Sequence, residues 1–274
     1  MNSNLKNSNV FELRPLEYRA VWISDVHLGF KGCKANLLLD FLKSVNSEYL
    51  YLVGDIIDVW SMKKSVHWPQ EHNNVIRTIL SKSKKGTNVV YIPGNHDEFL
   101  RDYDGMQFGS VVIRTFDIHT TANGKQYLVM HGDEFDSAVK CNKLLSFIGS
   151  RSYEAILEIN RTYNYFRRKL GLPYWSLSNY LKHRVNNAVK YIHRFEDAVS
   201  FEAKRHQVDG LICGHIHQAN LREVNGIHYC NTGDWVESCT ALAERYDGEL
   251  ELINWAEYIR QSSGNVQTVI ESVA

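Results

Sequence analysis

The chain has 274 residues, and its 31 Lys and Arg residues balance its 31 Asp and Glu residues. Its hydrophobic fraction of 44% and charged fraction of 23% exclude a chain that is disordered by composition. The length fits one large domain or a domain with a sizeable insertion. Zero net charge argues against a nucleic-acid or membrane-surface protein, but a sum conceals how charge is distributed along the chain.

The N-terminal stretch MNSNLKNSNV is polar, so we expect no secretory signal peptide. No stretch approaches the roughly 18 apolar residues that a membrane span requires. The five scattered cysteines form no C-x-x-C pair, a pattern typical of small buried side chains in a reducing cytosol. These cysteines are Cys33, Cys141, Cys213, Cys230 and Cys239. The sequence therefore predicts a cytoplasmic protein.

The first third of the chain alternates predicted strands with predicted helices. The strands are Tyr18–Ser24, Tyr49–Val53 and Asn88–Ile92, and the helices between them are Asn36–Val45 and Glu71–Lys84. Strands that alternate with helices favour a parallel sheet with right-handed crossovers.

Further strands follow in the rest of the chain. They are predicted at Val111–Phe116, Gln126–Met130, Gly210–Cys213, Asn220–Val224, Ile227–Asn231, Ala241–Tyr246 and Glu249–Asn254. Hairpin turns are expected at Asn123-Gly124, Asn225-Gly226 and Asp247-Gly248, because these pairs suit type I′ turns.

Between Phe135 and Arg205 the strand pattern stops, and helix formers and aromatic residues dominate. We interpret this segment as a helical insertion between two strands of a sheet. The predicted organisation is a core formed by residues 18–134 and 206–260, a lid formed by residues 135–205, and tails at residues 1–17 and 261–274.

Five predicted strands each end in a cluster of polar residues. The clusters are Asp25-Val26-His27, Gly54-Asp55 with Asp58, Gly94-Asn95-His96-Asp97, His131-Gly132-Asp133 and Gly214-His215-Ile216-His217. Because ligands of open α/β sheets bind beyond the carboxyl ends of the strands, we expect these clusters to converge. Oxygen and nitrogen donors without thiolate suit Mn²⁺, Fe or Zn²⁺.

Roughly seven ligands are too many for one ion but fit two ions about 3.5–4 Å apart, an arrangement that serves displacement at phosphorus. Asp25 and His27 stand two residues apart, which in an extended segment points both side chains to one side. The same holds for His215 and His217. Glycines flank these ligands, where a tight loop must bring backbone near an ion.

Each motif alone has another interpretation. Asp-x-His also occurs as a helix cap or loop feature, and Gly-Asn-His-Asp also suits a turn. Five clusters in order, each directly after a strand, favour a two-metal site.

These motifs resemble the calcineurin-like metallophosphoesterase superfamily. The resemblance is carried by Asp25-x-His27, Gly54-Asp55-x-x-Asp58, Gly94-Asn95-His96-Asp97, His131-Gly132 and Gly214-His215-x-His217. It implies an α/β fold, an αββα sandwich with metals at the strand ends, here interrupted by the helical lid. It also implies the ligand sets: Asp25, His27 and His217 for one ion, Asn95, His131 and His215 for the other, and Asp55 as the bridge.

The resemblance implies that His96 is a catalytic residue, which stabilises the transition state or protonates the leaving oxygen. Asp97 would orient it. This role suits a histidine, because its pKa lies near working pH and a carboxylate can raise its basicity. Asp58 has two interpretations of equal weight: a hydrogen-bonding partner around the site, or a carboxylate at a helix N-terminus.

The charge is distributed unevenly. Residues 139–195 contain 11 Lys and Arg residues against two acidic ones, a net charge of +9, so the rest of the chain carries −9. The same segment is rich in Tyr, Trp, Leu and Ile. Such a lid suits an anionic amphiphile at a membrane surface, whereas the alternative is a helical hairpin with a solvated basic face. Candidate phosphate or lipid contacts are Asn95, Arg161, Arg167, Arg168, Lys169, Lys182, His183 and Arg184.

The layout also resembles the UDP-2,3-diacylglucosamine pyrophosphohydrolase family of lipid A biosynthesis. The shared features are the length, the helical insertion after His131-Gly132-Asp133, and the run from Tyr229 to Trp235 (YCNTGDW). The resemblance implies cleavage to UMP and 2,3-diacylglucosamine 1-phosphate, usually with two Mn²⁺ ions, by a cytoplasmic protein at the inner membrane face.

Three functions remain in competition. The first is the pyrophosphohydrolase acting on a UDP-linked lipid. The second is a metallophosphoesterase for a soluble nucleotide or another phosphodiester, which His96 favours because the best-studied branch of the lipid family has Arg there. The third is a metal-free scaffold, although no expected ligand is missing. The aliphatic content of residues 139–195 disfavours a nucleic-acid groove, which needs stacking platforms.

Overall fold

A computed structural model describes residues 15–137 and 177–262, with side chains over 15–136 and 189–262. The strands in these ranges are β1 Leu16–Ile23, β2 Val45–Val53, β3 Asn88–Ile92, β4 Gln107–Phe108, β5 Val111–Ile113, β6 Asp117–Thr120, β7 Gln126–Val129, β8 Gly210–Cys213, β9 Asn220–Val224, β10 Ile227–Asn231, β11 Thr240–Glu244 and β12 Leu250–Asn254. The helices are α1 Ala35–Ser44, α2 Val59–Lys64, α3 Gln70–Lys84, α4 Leu177–Arg205 and α5 at residues 255–262, with 3₁₀ turns at Glu98–Tyr103 and Asp133–Ser137.

The strands form two sheets. The first has seven strands in the order β12-β11-β1-β2-β3-β5-β4, and the second has five in the order β6-β7-β8-β10-β9. Both are parallel at the centre, because β1, β2, β3 and β5 run together in the first and β7, β8 and β10 in the second. The predicted parallel arrangement is confirmed. The carboxyl ends of β1, β2 and β3 carry three of the five polar clusters, and those of β7 and β8 carry the other two.

The two sheets pack face to face, with a helical layer outside each one. Between the sheets lie fully buried side chains such as Trp22, Val53 and Ile212. Helix α1 buries residues 35, 38, 41 and 42, the spacing of one helical face, against the seven-stranded sheet. Helix α4 buries Phe195 and Val199 against the five-stranded sheet. This is the predicted αββα sandwich, and the end of the segment predicted as a lid forms one of its outer layers.

Several predicted boundaries were wrong. Strand β2 begins at Val45 rather than Tyr49, because α1 ends at Ser44 and Val45 already has an extended backbone. The predicted strand Val111–Phe116 stops at Ile113. The chain then crosses to the second sheet, where β6 pairs with β7 across the predicted Asn123-Gly124 turn. The short elements β4, α2 and α5 were not predicted.

Four cysteines lie among the described residues, and all four are free thiols. Cys213, Cys230 and Cys239 are buried, as the sequence predicts, whereas Cys33 is partly exposed. Cys141 lies outside the described residues, as do residues 1–14 and 263–274 of the predicted tails. None of the helices in the described ranges combines the length and the apolar character needed to cross a membrane.

A buried ion pair ties the two sheets together. Glu244 of β11 is 0% exposed, and both its carboxylate oxygens accept hydrogen bonds from Arg19 Nη1 of β1, at 2.9 and 2.8 Å. The same carboxylate bonds His119 Nε2 of β6 at 2.8 Å and the backbone N–H of Ala122 at 2.7 Å. The carboxylate of a first-sheet strand therefore anchors the edge hairpin of the second sheet.

Glu244→Ala is expected to destabilise the fold by roughly 3 kcal/mol, because it leaves Arg19 and the Ala122 N–H without their charged partner. The free energy of unfolding in urea measures this effect. Glu257→Ala is the matched control, because Glu257 pairs only with Arg260 on the exposed face of α5 and such pairs contribute about 0–1 kcal/mol. Equal effects of the two substitutions would contradict the anchoring role of Glu244.

Candidate metal centre

The structure brings the predicted ligands together at the carboxyl ends of five strands. His217 Nε2 lies 3.1 Å from Asp25 Oδ1, and His131 Nε2 lies 3.4 Å from Asp55 Oδ2. His27 Nε2 stands 4.0 Å from a carboxylate oxygen of each aspartate. Ligands from β1 and β2 of one sheet therefore meet those from β7 and β8 of the other.

Three groups of side chains place their donor atoms within 4.8 Å of one another: Asp25, His27 and His217; Asp25, Asp55 and His131; and His27, Asp55 and His96. The first group matches a predicted ligand set. Asp25, His27 and Asp55 each belong to two groups, so the groups overlap. Asp55 Oδ2 lies 3.4 Å from His131 Nε2 and 4.0 Å from His27 Nε2, two residues that were predicted to bind different ions. His96, which was predicted to act without binding metal, also lies within reach of this cluster.

Four donor atoms in this cluster are buried and have no hydrogen-bond partner among the described residues. They are Asp25 Oδ1, His27 Nε2, Asn95 Oδ1 and His131 Nε2. Buried polar atoms are normally paired, because an unpaired one loses its hydration and receives nothing in return. Oxygen and imidazole nitrogen atoms are the donors that Mn²⁺, Fe and Zn²⁺ accept. The cluster therefore fits divalent metal ions.

The backbone at the ligands is left-handed. Asp25, His27, Asp55, His215 and His217 have φ values of 51°, 55°, 54°, 70° and 55°. The expectation of an extended Asp-x-His and His-x-His segment was therefore wrong. Non-glycine residues in this region cost free energy and collect at functional sites. Backbone hydrogen bonds hold the loops, from Asp25 N to Gly54 O at 3.0 Å and from His27 N to Asp55 O at 2.9 Å.

Two glycines make room for the ligands. A Cβ at Gly54, whose φ is 78°, would lie 2.1 Å from His131 Nδ1, and a Cβ at Gly94 would lie 2.3 Å from Asp55 Oδ1. Either side chain would displace a ligand. The glycines predicted at these positions are thus required by ligand side chains that pack against the backbone.

Asp58 combines both of its predicted roles. It is the N-cap of α2, where Oδ1 accepts the backbone N–H of Ser61 at 2.7 Å. It also bonds two ring nitrogens, His96 Nδ1 at 2.8 Å and His27 Nδ1 at 3.3 Å. One buried carboxylate therefore orients both a metal ligand and the predicted catalytic histidine, and leaves the Nε2 atom of each ring facing the cluster.

Asp97 does not orient His96, and that prediction was wrong. The carboxylate of Asp97 instead accepts the backbone N–H groups of Gly94 at 2.6 Å and Ile56 at 2.9 Å, and the hydroxyl of Tyr91 at 2.6 Å. It is 0% exposed. Asp97 therefore fixes the loops that carry Asn95 and Asp55, and acts on the site through the backbone.

Two residues at the site were not predicted. The Trp60 ring lies over His96, with 4.5 Å between ring centroids and a 33° tilt, and Trp60 is 37% exposed at the mouth of the site. Asp136 Oδ1 bonds His215 Nε2 at 2.7 Å. The sequence signals for both residues are weak. Trp60 is a single apolar residue in a short helix, and Asp136 follows His131 but belongs to no motif.

His215 is in none of the three donor groups of the described residues, although its ring centroid lies 5.2 Å from that of His131. Most of the substrate contacts that were predicted in residues 139–195 lie outside the described residues. Arg161, Arg167, Arg168 and Lys169 are not described, and for Lys182, His183 and Arg184 only the α4 backbone is.

The carboxylates and histidines of the cluster shift one another's pKa values. Burial disfavours the charged forms, but His217 and the neighbouring rings hold the pKa of Asp25 well below its usual range. His131 outweighs burial and lowers the pKa of Asp55 to about 2. Conversely, Asp25 outweighs burial and raises the pKa of His217 to about 9. Without metal, His217 therefore holds a proton that an ion must displace.

A family model and several known proteins match this chain. A sequence model described as calcineurin-like phosphoesterase matches residues 18–219. The UDP-2,3-diacylglucosamine hydrolase of Neisseria meningitidis serogroup B is 25% identical over 247 residues, covering 84% of this chain and 95% of the relative. The enzyme of the same name from Neisseria gonorrhoeae is 27% identical over 241 residues, covering 83% and 94%. Among solved structures, vacuolar protein sorting 29 from Cryptosporidium parvum is 14% identical with a TM-score of 0.41, covering 85% of this chain and 94% of that one.

Binding of Mn²⁺ to the metal-free protein at pH 7.5 is expected to release at least one proton. His217 is protonated below its pKa of about 9, whereas a metal ion binds only the neutral ring. The affinity for Mn²⁺ should therefore rise with pH up to about 9 and then level off. Calorimetry in two buffers of different ionisation enthalpy measures the released protons. His217→Asn should release fewer protons, whereas His206→Asn, just beyond the end of α4 and outside the cluster, should match the unaltered protein. Binding without proton release would contradict the proposed ligand role of His217.

Asp97→Ala is expected to lower the free energy of unfolding by several kcal/mol, because each buried donor left unpaired costs about 1–3 kcal/mol. Asp58→Ala leaves fewer buried hydrogen-bond donors without an acceptor. It should therefore lower the free energy of unfolding less than Asp97→Ala does, but lower the turnover of the folded protein more. Urea unfolding and turnover of a chromogenic phosphodiester separate the two effects. If Asp97→Ala folded normally and lost only turnover, Asp97 would act on the reacting groups after all.

Proposed function

Because the chain belongs to the calcineurin-like phosphoesterase family and is thus a metal-dependent phosphoesterase, we propose that it cleaves the pyrophosphate of UDP-2,3-diacylglucosamine. The products are UMP and 2,3-diacylglucosamine 1-phosphate. The observation that carries the reaction class is the convergence at the strand ends of four buried donor atoms that have no hydrogen bond from any described residue.

Two further observations support the lipid substrate. Relatives named UDP-2,3-diacylglucosamine hydrolase align with 84% of this chain and 95% of their own length, so the similarity extends beyond the metal motifs. Residues 139–195 carry a net charge of +9 together with many aromatic and aliphatic residues. We propose that this segment binds the anionic lipid and contacts the inner membrane surface. Basic residues bind phosphates, and aromatic and aliphatic residues bind apolar chains.

The proposed centre holds two ions, with Mn²⁺ as the proposed metal. Asp25, His27 and His217 hold one ion, and Asn95, His131 and His215 hold the other. Asp55 would bridge them, because Asp55 Oδ2 lies 3.4 Å from His131 Nε2 and 4.0 Å from His27 Nε2, one residue from each proposed set. When bound, the ions stabilise the negative charge that develops on the phosphoryl oxygens.

His96 is the proposed proton donor to the leaving oxygen. Asp58 accepts the Nδ1 proton at 2.8 Å, and this fixes the ring with Nε2 towards the cluster, 3.9 Å from Asp55 Oδ2. Although burial opposes it, the hydrogen bond with Asp58 raises the pKa of His96. The side chain is 24% exposed, so a substrate can reach it. A histidine held in this way keeps its proton to higher pH than an ordinary histidine and can deliver it to a leaving oxygen.

His96 also favours a second candidate function, hydrolysis of a soluble nucleotide or another phosphodiester. The lipid family that the chain resembles has Arg at this position in its best-studied branch, and an exchanged residue beside the reacting group is consistent with a changed substrate. The two candidates share the metal centre and differ only in what residues 139–195 bind.

The test incubates the purified protein with Mn²⁺ and UDP-2,3-diacylglucosamine in detergent and identifies the products by mass spectrometry. UMP together with the lipid monophosphate supports the first function. Turnover of soluble nucleotides or diesters without turnover of the lipid would reject it in favour of the second. An assay in ¹⁸O-labelled water also shows which phosphorus atom is attacked. The label enters only the product that contains this phosphorus atom.

His96→Ala is expected to lower turnover by roughly 10²–10⁴-fold, the usual contribution of a positioned proton donor, while the bound metal stays unchanged. Metal content by mass spectrometry and turnover are measured on the same sample. His67→Ala serves as the control histidine outside the cluster. Loss of metal from His96→Ala would show that His96 is a ligand, in line with its place in one donor group.

A further inference from the structure

Asp136 joins the metal centre to the outer helix of the second sheet. It lies in the 3₁₀ turn Asp133–Ser137, which follows the ligand His131. Its Oδ1 atom meets two donors, His215 Nε2 at 2.7 Å and the hydroxyl of Tyr191 at 2.7 Å. A single carboxylate oxygen thus contacts a proposed metal ligand and a residue of α4.

The contact selects the tautomer of His215. An ionised carboxylate only accepts hydrogen bonds, so Nε2 of His215 is the donor and carries the proton. Nδ1 is then the nitrogen left for an ion. The backbone of His215 is also held, because its N–H bonds Asp25 Oδ2 at 3.0 Å in a left-handed conformation. With the backbone fixed, the bond to Asp136 sets the ring rotation.

The α4 side of the contact is equally well packed. Phe195, one turn after Tyr191, is fully buried, and its ring centroid lies 6.0 Å from that of His215. The two aromatic rings of α4 stack at 6.5 Å. A Cβ at Gly132 would lie 2.8 Å from Phe195 Cζ, so the loop after His131 presses directly against the helix.

We propose that Asp136 is a positioning residue for the second metal position and that Tyr191 couples this residue to α4. The proposal rests on the proposed two-metal function, but not on the identity of the substrate. A carboxylate that orients a ligand imidazole raises metal affinity by about 10–100-fold. Because α4 ends the segment predicted as a lid, a movement of α4 would change the hold on His215 and thereby on the ion.

The coupling makes a specific prediction for four proteins. Asp136→Ala should lower affinity for the second Mn²⁺ ion by about 10–100-fold and leave the ion held by Asp25, His27 and His217 unchanged. Asp136→Asn, which still accepts hydrogen bonds, should lose less. Tyr191→Phe, which removes one hydroxyl, should lower affinity by about fivefold. In the Asp136→Ala background, Tyr191→Phe should have no further effect on metal affinity, because the contact between Tyr191 and the Asp136 carboxylate is already lost.

Calorimetric titration of the metal-free full chain with Mn²⁺ alone tests this, with circular dichroism as the check on folding. Asp197→Asn is the matched aspartate control, since among the described residues its carboxylate bonds only Asn225, on the exposed side of α4. Tyr103→Phe is the tyrosine control, exposed and outside the site.

Wild-type affinity for both ions in folded Asp136→Ala and Asp136→Asn would overturn the positioning role. A fivefold loss from Tyr191→Phe that persists in the Asp136→Ala background would overturn the coupling. Because no substrate is present, a failure here is distinct from failure of the lipid assay. If the protein bound no metal at all, the proposed function itself would fall instead.

Discussion

The free-energy cost of burying polar atoms without partners is the constraint on which the rest of this structure depends. Asp25 Oδ1, His27 Nε2, Asn95 Oδ1 and His131 Nε2 lie buried without a hydrogen bond from any described residue. Each such atom costs on the order of 1–3 kcal/mol in a folded protein, unless an ion supplies the missing interaction. Opposite charges within the cluster offset part of the cost, since Asp25 and Asp55 stand beside histidines whose pKa values they raise. The fold tolerates the cluster because two sheets hold its members from opposite sides.

Two buried carboxylates support the cluster in different ways. Asp97 accepts backbone N–H groups and so fixes the loops in which the ligands lie, whereas Asp58 bonds the rings of His27 and His96. Loop shape and ring orientation are therefore set by separate residues. The resemblance to the family assigned the orientation of His96 to Asp97, its neighbour in sequence. In the structure the more distant Asp58 reaches the ring, because the N-cap of α2 lies beside the loop after β3.

The sequence predicted well which residues gather in the cluster, because parallel strands deliver their carboxyl ends to one edge and polar residues there stand out against apolar strands. It failed where the outcome depended on contacts between distant segments. The left-handed backbone of Asp25 and His27 comes from loop hydrogen bonds that no local pattern records. Strand β6 was not predicted, because its four residues contain no run of apolar side chains. The strand is stabilised by its pairing with β7. Trp60 and Asp136 gain their importance only from the rings that they meet in three dimensions.

The central claim is that these side chains form one centre for two ions bridged by Asp55. Loading the metal-free protein with Mn²⁺ and recording its electron paramagnetic resonance spectrum together with its metal content tests this most directly. We expect two ions per chain and the spectrum of a spin-coupled pair, since a shared carboxylate would hold the ions about 3.5–4 Å apart. Two uncoupled ions, or a single ion at saturation, would contradict it.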